Sequence, residues 1–239
     1  MKTLVIIPAY NEERSIAAVV AELAEVRPDC DYVVVNDCST DSTLNVLEEN
    51  GLNRLNLVCN LGIGGGVQTG YRYALQRGYD IAVQLDGDGQ HDPRYLDAVI
   101  GPVERGEADV CIGSRFIDKT GFQTSFMRRV GIRFLSLIIR LSCGVRVTDA
   151  TSGFRACNRA LIAHYADHYA QDYPEPEAIV SAALYGFTVA DVPVAMRQRS
   201  AGVSSISPMK SVYFMLKVSV AILLYRFLMG DPKKEEPAP

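Results

Sequence analysis

Two carboxylates stand where an apolar run stops: DIAVQL (80–85) gives way to DGDGQHDP (86–93). In an extended segment Asp86 and Asp88 point to the same side, and Gly87 and Gly89 let the backbone turn tightly. Carboxylates held this close repel each other unless a cation or a shared proton lies between them. Hard oxygen donors with room for phosphate oxygens suit Mg²⁺ or Mn²⁺. A polar turn closed by Asx hydrogen bonds is the alternative for the same residues. An EF-hand is excluded, because its loop pattern is missing.

Three more polar segments follow apolar runs: PAYNEE (8–13), NDCSTDS (36–42) and NLGIGGG (60–66). Asp37 can accept a hydrogen bond from a base N–H or a ribose hydroxyl, with helix capping left to Ser39 or Asp41. In NLGIGGGVQTG, Val67 stands where a dinucleotide fingerprint needs glycine, and Tyr71 where a P-loop needs lysine. The segment either brings backbone amides near a phosphate or packs a helix closely on a sheet. His164 and His168 have helical spacing for a metal, but no further ligands lie near them. They read as surface histidines.

The elements that must carry these groups are short, β-branched runs: 3–8, 31–36, 55–59, 80–85 and 108–113. They read as strands buried on both faces. Helical patterns at 12–26, 41–50, 66–77 and 93–105 alternate with them. Asn11 and the Ser39–Asp41 turn supply caps, and Pro93 opens the last helix. The alternation predicts an α/β fold, a mostly parallel sheet flanked by helices, with ligands at the carboxyl ends of the strands. After residue 115 it stops. Residues 126–142 form a basic amphipathic helix with Arg129, Arg133 and Arg140 on one stripe. A second long helix spans 208–229, where Lys210 and Lys217 leave only VSVAILLY uninterrupted. That is short of the about 20 residues a membrane span needs. It lies on a membrane surface, packs on a membrane partner, or closes the core. The expected division is a core domain at 1–206, this helix at 207–229 and a disordered tail at 230–239.

Composition narrows the classes. The chain has 239 residues, 48% of them hydrophobic, and a net charge of −4, so no global attraction draws it to nucleic acid or anionic lipid, and any such attraction must come from local patches. Six cysteines without CxxC spacing read as reduced and mostly buried, pointing to the cytoplasm. The N-terminal apolar run is too short for a secretory leader.

Taken together, PAYNE, VVNDCSTDST, NLGIGGGVQTGY and DGDGQHDP resemble, in order, the motifs of family 2 glycosyltransferases of GT-A fold. TDATSGFRACNR (148–159) and VPVAMRQRSAGVSSI (192–206) are similar to the branch containing dolichyl-phosphate mannose synthase and bacterial polyprenyl-phosphate sugar transferases. The resemblance implies that Asp86, Asp88 and Gln90 hold Mg²⁺ or Mn²⁺ on the donor diphosphate. It implies a nucleotide-sugar pocket of Pro8, Ala9, Tyr10, Glu12, Asp37, Asn60 and Gly64, with Asp86, Gly87 and Asp88. Arg115 and Arg199 would meet phosphates, and Arg128, Arg129, Ser152 and Arg155 would surround the acceptor phosphate. Ser205 stands where the branch has lysine, and Asn36 and Cys38 depart from its usual DDG. With no tryptophan the chain lacks the QxxRW element of processive synthases.

Glu175 and Glu177, in DYPEPEAIV (172–180), are candidate bases for a hydroxyl acceptor. Alternatively they favour a helix N-terminus. A phosphate acceptor, with a second pKa of about 6, is already an anion and needs no base. The implied reaction is inverting transfer from a UDP-, GDP- or TDP-sugar to undecaprenyl or dolichyl phosphate. It would run at the cytoplasmic membrane face, in cell-surface glycan synthesis. A small membrane subunit and self-association stay open as partners. The rival readings are transfer to a saccharide or protein hydroxyl, a nucleotidyltransferase, and a non-catalytic sugar-nucleotide sensor.

Overall fold

The computed structural model describes residues 1–121, 125–171, 174–198 and 208–229. Seven strands, β1 (Thr3–Ala9), β2 (Asp31–Asn36), β3 (Arg54–Asn56), β4 (Ile81–Gln84), β5 (Val110–Ser114), β6 (Arg155–Asn158) and β7 (Val189–Pro193), form one sheet. Their order is β3-β2-β1-β4-β6-β5-β7. All pairings are parallel except those of β6, which runs antiparallel between β4 and β5.

Every residue of β1 is buried, which is why its sequence shows a continuous apolar run rather than alternation. On one face Leu4, Ile6 and Val35 pack with α3 (Gly62–Gln76), α5 (Phe126–Cys143), α6 (Arg159–Asp167) and α7 (Pro174–Leu184). On the other, Val5, Ile7 and Val34 meet α1 (Ile16–Val26), α2 (Thr43–Glu49) and α4 (Leu96–Glu104). Chain order reverses at β1, whose neighbours are β2 and β4. The carboxyl ends of those strands therefore diverge around a crevice, where such sheets bind ligands.

The sheet from β1 to β5 follows the expectation from sequence; β6, β7 and α6 were not anticipated, and α7 matches the alternative in which Glu175 and Glu177 open a helix. α3 starts at Gly62, before the expected residue 66, and α1 starts at Ile16 with Ser15 as its N-cap residue. Asn11 is not a helix cap. With φ 57 it turns the chain, and its side-chain oxygen accepts from Thr40 N at 2.8 Å, tying the end of β1 to the segment after β2. A 3₁₀ turn at Pro93–Tyr95 precedes α4, capped by the Asp92 carboxylate.

The last helix, α8 (Pro208–Met229), packs on α5 and α7, with Val218 and Ile222 in the common core. At Gly131 a Cβ would collide with Met215, so glycine lets α5 and α8 approach closely. One side of α8 thus closes the core. No helix among the described residues is long and apolar enough to cross a membrane.

Candidate active site

The crevice holds a cavity of about 380 Å³. Every residue of the expected nucleotide-sugar pocket lines it except Gly64: Pro8 and Ala9 from β1, Tyr10 and Glu12 just after it, Asp37 after β2, Asn60 before α3, and Asp86, Gly87 and Asp88 after β4. Gly62, Ile63 and Gly66 complete the wall on the α3 side. Gly64 belongs elsewhere: a Cβ there would collide with the carbonyl of Ala170, so it serves packing between α3 and the 170–171 turn. Gly70 likewise lets α3 seat on Ile6 of β1.

Asp37 is 4% exposed and fixed on both sides of the crevice. Its N–H donates to Ala9 O at 2.9 Å, and its Oδ1 accepts from Leu61 N at 2.7 Å. Asn60 Nδ2 donates to Asp37 O at 3.1 Å, and Asn60 Oδ1 accepts from Gly62 N at 3.1 Å. Neighbouring Cys38 has φ 56, a left-handed backbone that disfavours a side chain.

The carboxylate pair is held from behind. Gln84 Nε2 donates to Asp86 Oδ1 at 3.1 Å, and Tyr169 Oη donates to Gln84 Oε1 at 3.5 Å. His91 Nδ1 accepts from Asp86 N at 3.0 Å, while its ring stacks on Phe154 with centroids 5.1 Å apart. Gly153 leaves no room for a side chain beside the Asp86 carboxylate. Asp88 Oδ1 accepts from Gln90 N at 3.0 Å, and Gln90 O accepts from Arg197 N at 2.9 Å. Arg197 also pairs with Glu22 at 2.6 Å and with Asp92 at 2.9 Å. Burial would raise the Asp92 carboxyl, but hydrogen bonds from Arg94 and Arg197 outweigh it and leave it lowered.

No group of three or more His, Cys, Asp or Glu among the described residues could hold a metal alone. Two carboxylates facing a cavity are the donor set of a divalent cation that takes its other ligands from a diphosphate. Asp86 and Asp88 fit that role. Gln90 stands outside the residues lining the cavity.

The expected acceptor residues separate. Arg115 is committed to Asp149, with Nε 2.6 Å from Oδ2 and Nη2 2.8 Å from Oδ1; it joins the end of β5 to the 148–153 loop. The expectation for Arg155 is corrected: it is 0% exposed, and donates to Ser152 O at 2.5 Å and Glu175 O at 3.3 Å, so no surface is left to meet a phosphate. Ser152, 1% exposed, is buried beside it. Arg128 is exposed at the start of α5, where Ser125 Oγ accepts from its N–H. Arg129 lines a cavity of about 280 Å³ with Phe116, Arg133, Ser136 and Thr148. Ser136 Oγ is buried there without a hydrogen-bond partner. Arg199 and Ser205 lie outside the described residues.

Glu175 and Glu177 both open α7 but serve different surroundings. Burial pushes the Glu175 carboxyl up, Arg155 pulls it down, and Asp86 adds to the rise. Glu177 lines a separate cavity with His168, Ser181 and Ile222. His164 is not at the surface: it is 9% exposed and bonded to Ser181 Oγ at 2.7 Å. The six thiols are free, but Cys59 is exposed and only Cys111 and Cys157 are fully buried.

Sequence reading gave no role to Gln84, His91, Phe154, Arg197 or Glu22. His91, Phe154 and Arg197 lie inside motif segments, whereas Gln84 and Glu22 do not. Gln84 and Glu22 reach the site through strand pairing and a long-range ion pair that no local pattern shows.

Comparison with known proteins agrees with this geometry. Residues 4–166 match the family model for glycosyl transferase family 2. Polyprenol monophosphomannose synthase of Mycolicibacterium smegmatis is 30% identical over 91% of this chain and 86% of its own length. UDP-N-acetylglucosamine–dolichyl-phosphate N-acetylglucosaminyltransferase of Methanococcus voltae is 32% identical over 79% of this chain and 83% of its own. Among solved structures, glucosyl-3-phosphoglycerate synthase of Mycobacterium tuberculosis, in complex with Mn²⁺, UDP and phosphoglyceric acid, superimposes with a TM-score of 0.72. It covers 97% of this chain and 80% of its own at 20% identity, which establishes the GT-A fold. The chain belongs to glycosyl transferase family 2 and is a glycosyltransferase.

Proposed function

We propose that this family 2 glycosyltransferase moves a sugar from a nucleotide-sugar onto a polyprenyl phosphate, with inversion, at the cytoplasmic face of a membrane. The observation that carries the reading is a pair of sites of different character. One is a cavity rimmed by Asp37, Asp86 and Asp88. The other is a groove lined by Arg129 and Arg133, which suits an anionic acceptor. The two named relatives differ in the sugar their names carry, yet one name gives a polyprenol monophosphate sugar as product and the other a dolichyl phosphate as acceptor.

Asp37 and the 8–12 segment bind the nucleoside, and Asp86 and Asp88 hold Mg²⁺ or Mn²⁺. When bound, the ion supplies charge neutralisation at the diphosphate leaving group. Gln84 and His91 keep Asp86 oriented toward the cavity. Arg129 and Arg133 orient the acceptor, whose phosphate oxygen attacks the anomeric carbon. The new carbon–oxygen bond forms as the bond to the diphosphate breaks, and the nucleoside diphosphate departs with its electron pair. One displacement inverts the configuration. An ionised phosphate needs no proton removed.

A second reading, transfer to a hydroxyl, is favoured by the raised Glu175 carboxyl near Asp86. It would serve as the base. Glu175→Gln separates the two: loss of about 10²-fold or more marks a general base, and a modest change marks a phosphate acceptor. The primary experiment supplies polyprenyl phosphate, Mn²⁺ or Mg²⁺ and radiolabelled UDP-, GDP- and TDP-sugars, then extracts the lipid. Label in the lipid phase that vanishes with EDTA and with Asp88→Ala is the expected result. Donor consumption with only a soluble saccharide labelled would overturn it.

A further inference from the structure

The acidic motif is bordered by a segment that no step of the proposed reaction touches. Beyond β7 the chain runs past His91 and Gln90, and Met196 pairs with His91 in an antiparallel bridge. Met196 also pairs in parallel with Gly121, where a Cβ would collide with the Met196 carbonyl. The Arg197 N–H then donates to Gln90 O at 2.9 Å. Those two neighbours are the ones that support the carboxylates. The Gln90 N–H donates to Asp88 Oδ1 at 3.0 Å, and His91 Nδ1 accepts from the Asp86 N–H at 3.0 Å.

The Arg197 side chain ties this segment to the rest of the molecule. Its two terminal nitrogens donate to the two oxygens of Glu22 on α1, both at 2.6 Å, and Nη2 also lies 2.9 Å from Asp92 Oδ1. Glu22 is 175 residues away in the chain. Asp92 is buried and caps the 3₁₀ turn that follows the motif. A planar guanidinium can fork across two carboxylates in this way, whereas a lysine ammonium is a single point charge. The arginine is 36% exposed, so its pairs are partly shielded from solvent. The Arg105–Glu107 pair at the end of α4, with both side chains well exposed, is of the kind that contributes little. Without the guanidinium, Glu22 and Asp92 are left as neighbouring like charges, and the 196–197 segment loses its tie to α1.

We propose that Arg197 is a positioning residue. By anchoring the 196–197 backbone to α1 and to Asp92, it sets the Gln90 and His91 contacts that aim Asp88 and Asp86 at a divalent cation. The inference deepens the proposed function and rests on its reading of Asp86 and Asp88 as the groups that hold the metal.

The test titrates Mn²⁺ into the folded full chain at saturating UDP, following the free ion by electron paramagnetic resonance. UDP affinity without metal and thermal unfolding are measured beside it. Arg197→Ala is expected to weaken Mn²⁺ binding about tenfold, in the range for losing a group that orients a metal ligand. Metal-free UDP affinity should stay as it was. Arg197→Lys should restore part of the loss, because an ammonium reaches one carboxylate without bridging both. Glu22→Gln should weaken Mn²⁺ binding about threefold, and it carries the test if Arg197→Ala does not fold. Arg105→Ala, which breaks the exposed pair, should leave Mn²⁺ binding unaltered even where it lowers the melting temperature.

Unchanged Mn²⁺ affinity in Arg197→Ala or Glu22→Gln would overturn the proposal. So would equal losses of Mn²⁺ binding and of metal-free UDP binding, which mark general damage to the fold. An unaltered chain that takes up no Mn²⁺ beside UDP, with Asp88→Ala no different, would overturn the metal reading itself and Arg197's role with it.

Discussion

His91 shows how one buried ring can govern a carboxylate it does not bond strongly. Its Nδ1 takes the Asp86 N–H, so that nitrogen carries no proton, and the Phe154 stack fixes the ring plane. The backbone of the first carboxylate is thereby aimed before any ligand arrives. Asparagine can offer an oxygen near the same point; alanine cannot. His91→Ala is expected to weaken Mn²⁺ binding in the presence of UDP about tenfold, in the range of lost outer-shell support, and His91→Asn to restore most of it. Titration calorimetry with the folded variants checks this, and equal affinities for both would deny His91 the role. Cys38 offers a second residue-scale outcome. Its φ of 56 carries a side-chain penalty of about 1 kcal/mol. Cys38→Gly should raise the unfolding free energy in urea by about that amount.

Between elements, the α6–α7 contact carries a pH dependence. Burial, helped by His168, lowers His164 from 6.5 to about 4. Above pH 6.5 both folded and unfolded chains hold a neutral ring. Between 6.5 and 4 only the unfolded chain takes up the proton, so stability falls as pH drops, then levels off below 4. The loss from pH 7 to pH 5 should be about 2 kcal/mol, read by urea unfolding, and His164→Gln should remove that part of the slope. The same region marks the limit of legibility. β1, β2, β4 and β5 were readable because strands buried on both faces leave unbroken apolar runs. β6 reads RACN, and nothing local says that its arginine is wholly buried; that follows from pairing Arg155 opposite Gln84. α7 opens PEPE, where the two glutamates left a helix start and a catalytic base as alternatives, and prolines are tolerated in a first helical turn. The residues that line the cavity were legible since they follow strand ends. Which of the candidate arginines stand exposed was not, because burial of Arg155 and exposure of Arg128 follow from packing rather than residue type.

At the scale of the molecule, two properties are set by different parts of the chain. Pro8, Asp37 and the 86–88 segment line the cavity at the strand ends, whereas α5 and α8 form the basic, apolar flank. The halves meet where β4 pairs with β6 and where Arg197 bonds to Gln90, Asp92 and Glu22. That antiparallel insertion has a bearing on synthesis. A growing chain makes β4 long before its neighbour β6 exists, and β5 emerges between them without a site to occupy next to β4. Until residue 158 has been made, the Ile81–Gln84 backbone has one open edge, the kind that recruits strands from other molecules. A fragment ending at residue 121 should therefore aggregate, whereas one that continues through Met229, with α8 to close the core, should remain soluble, as differential centrifugation would show. The strand that completes the sheet also ends the interval in which the nascent chain is open to its neighbours on the polysome.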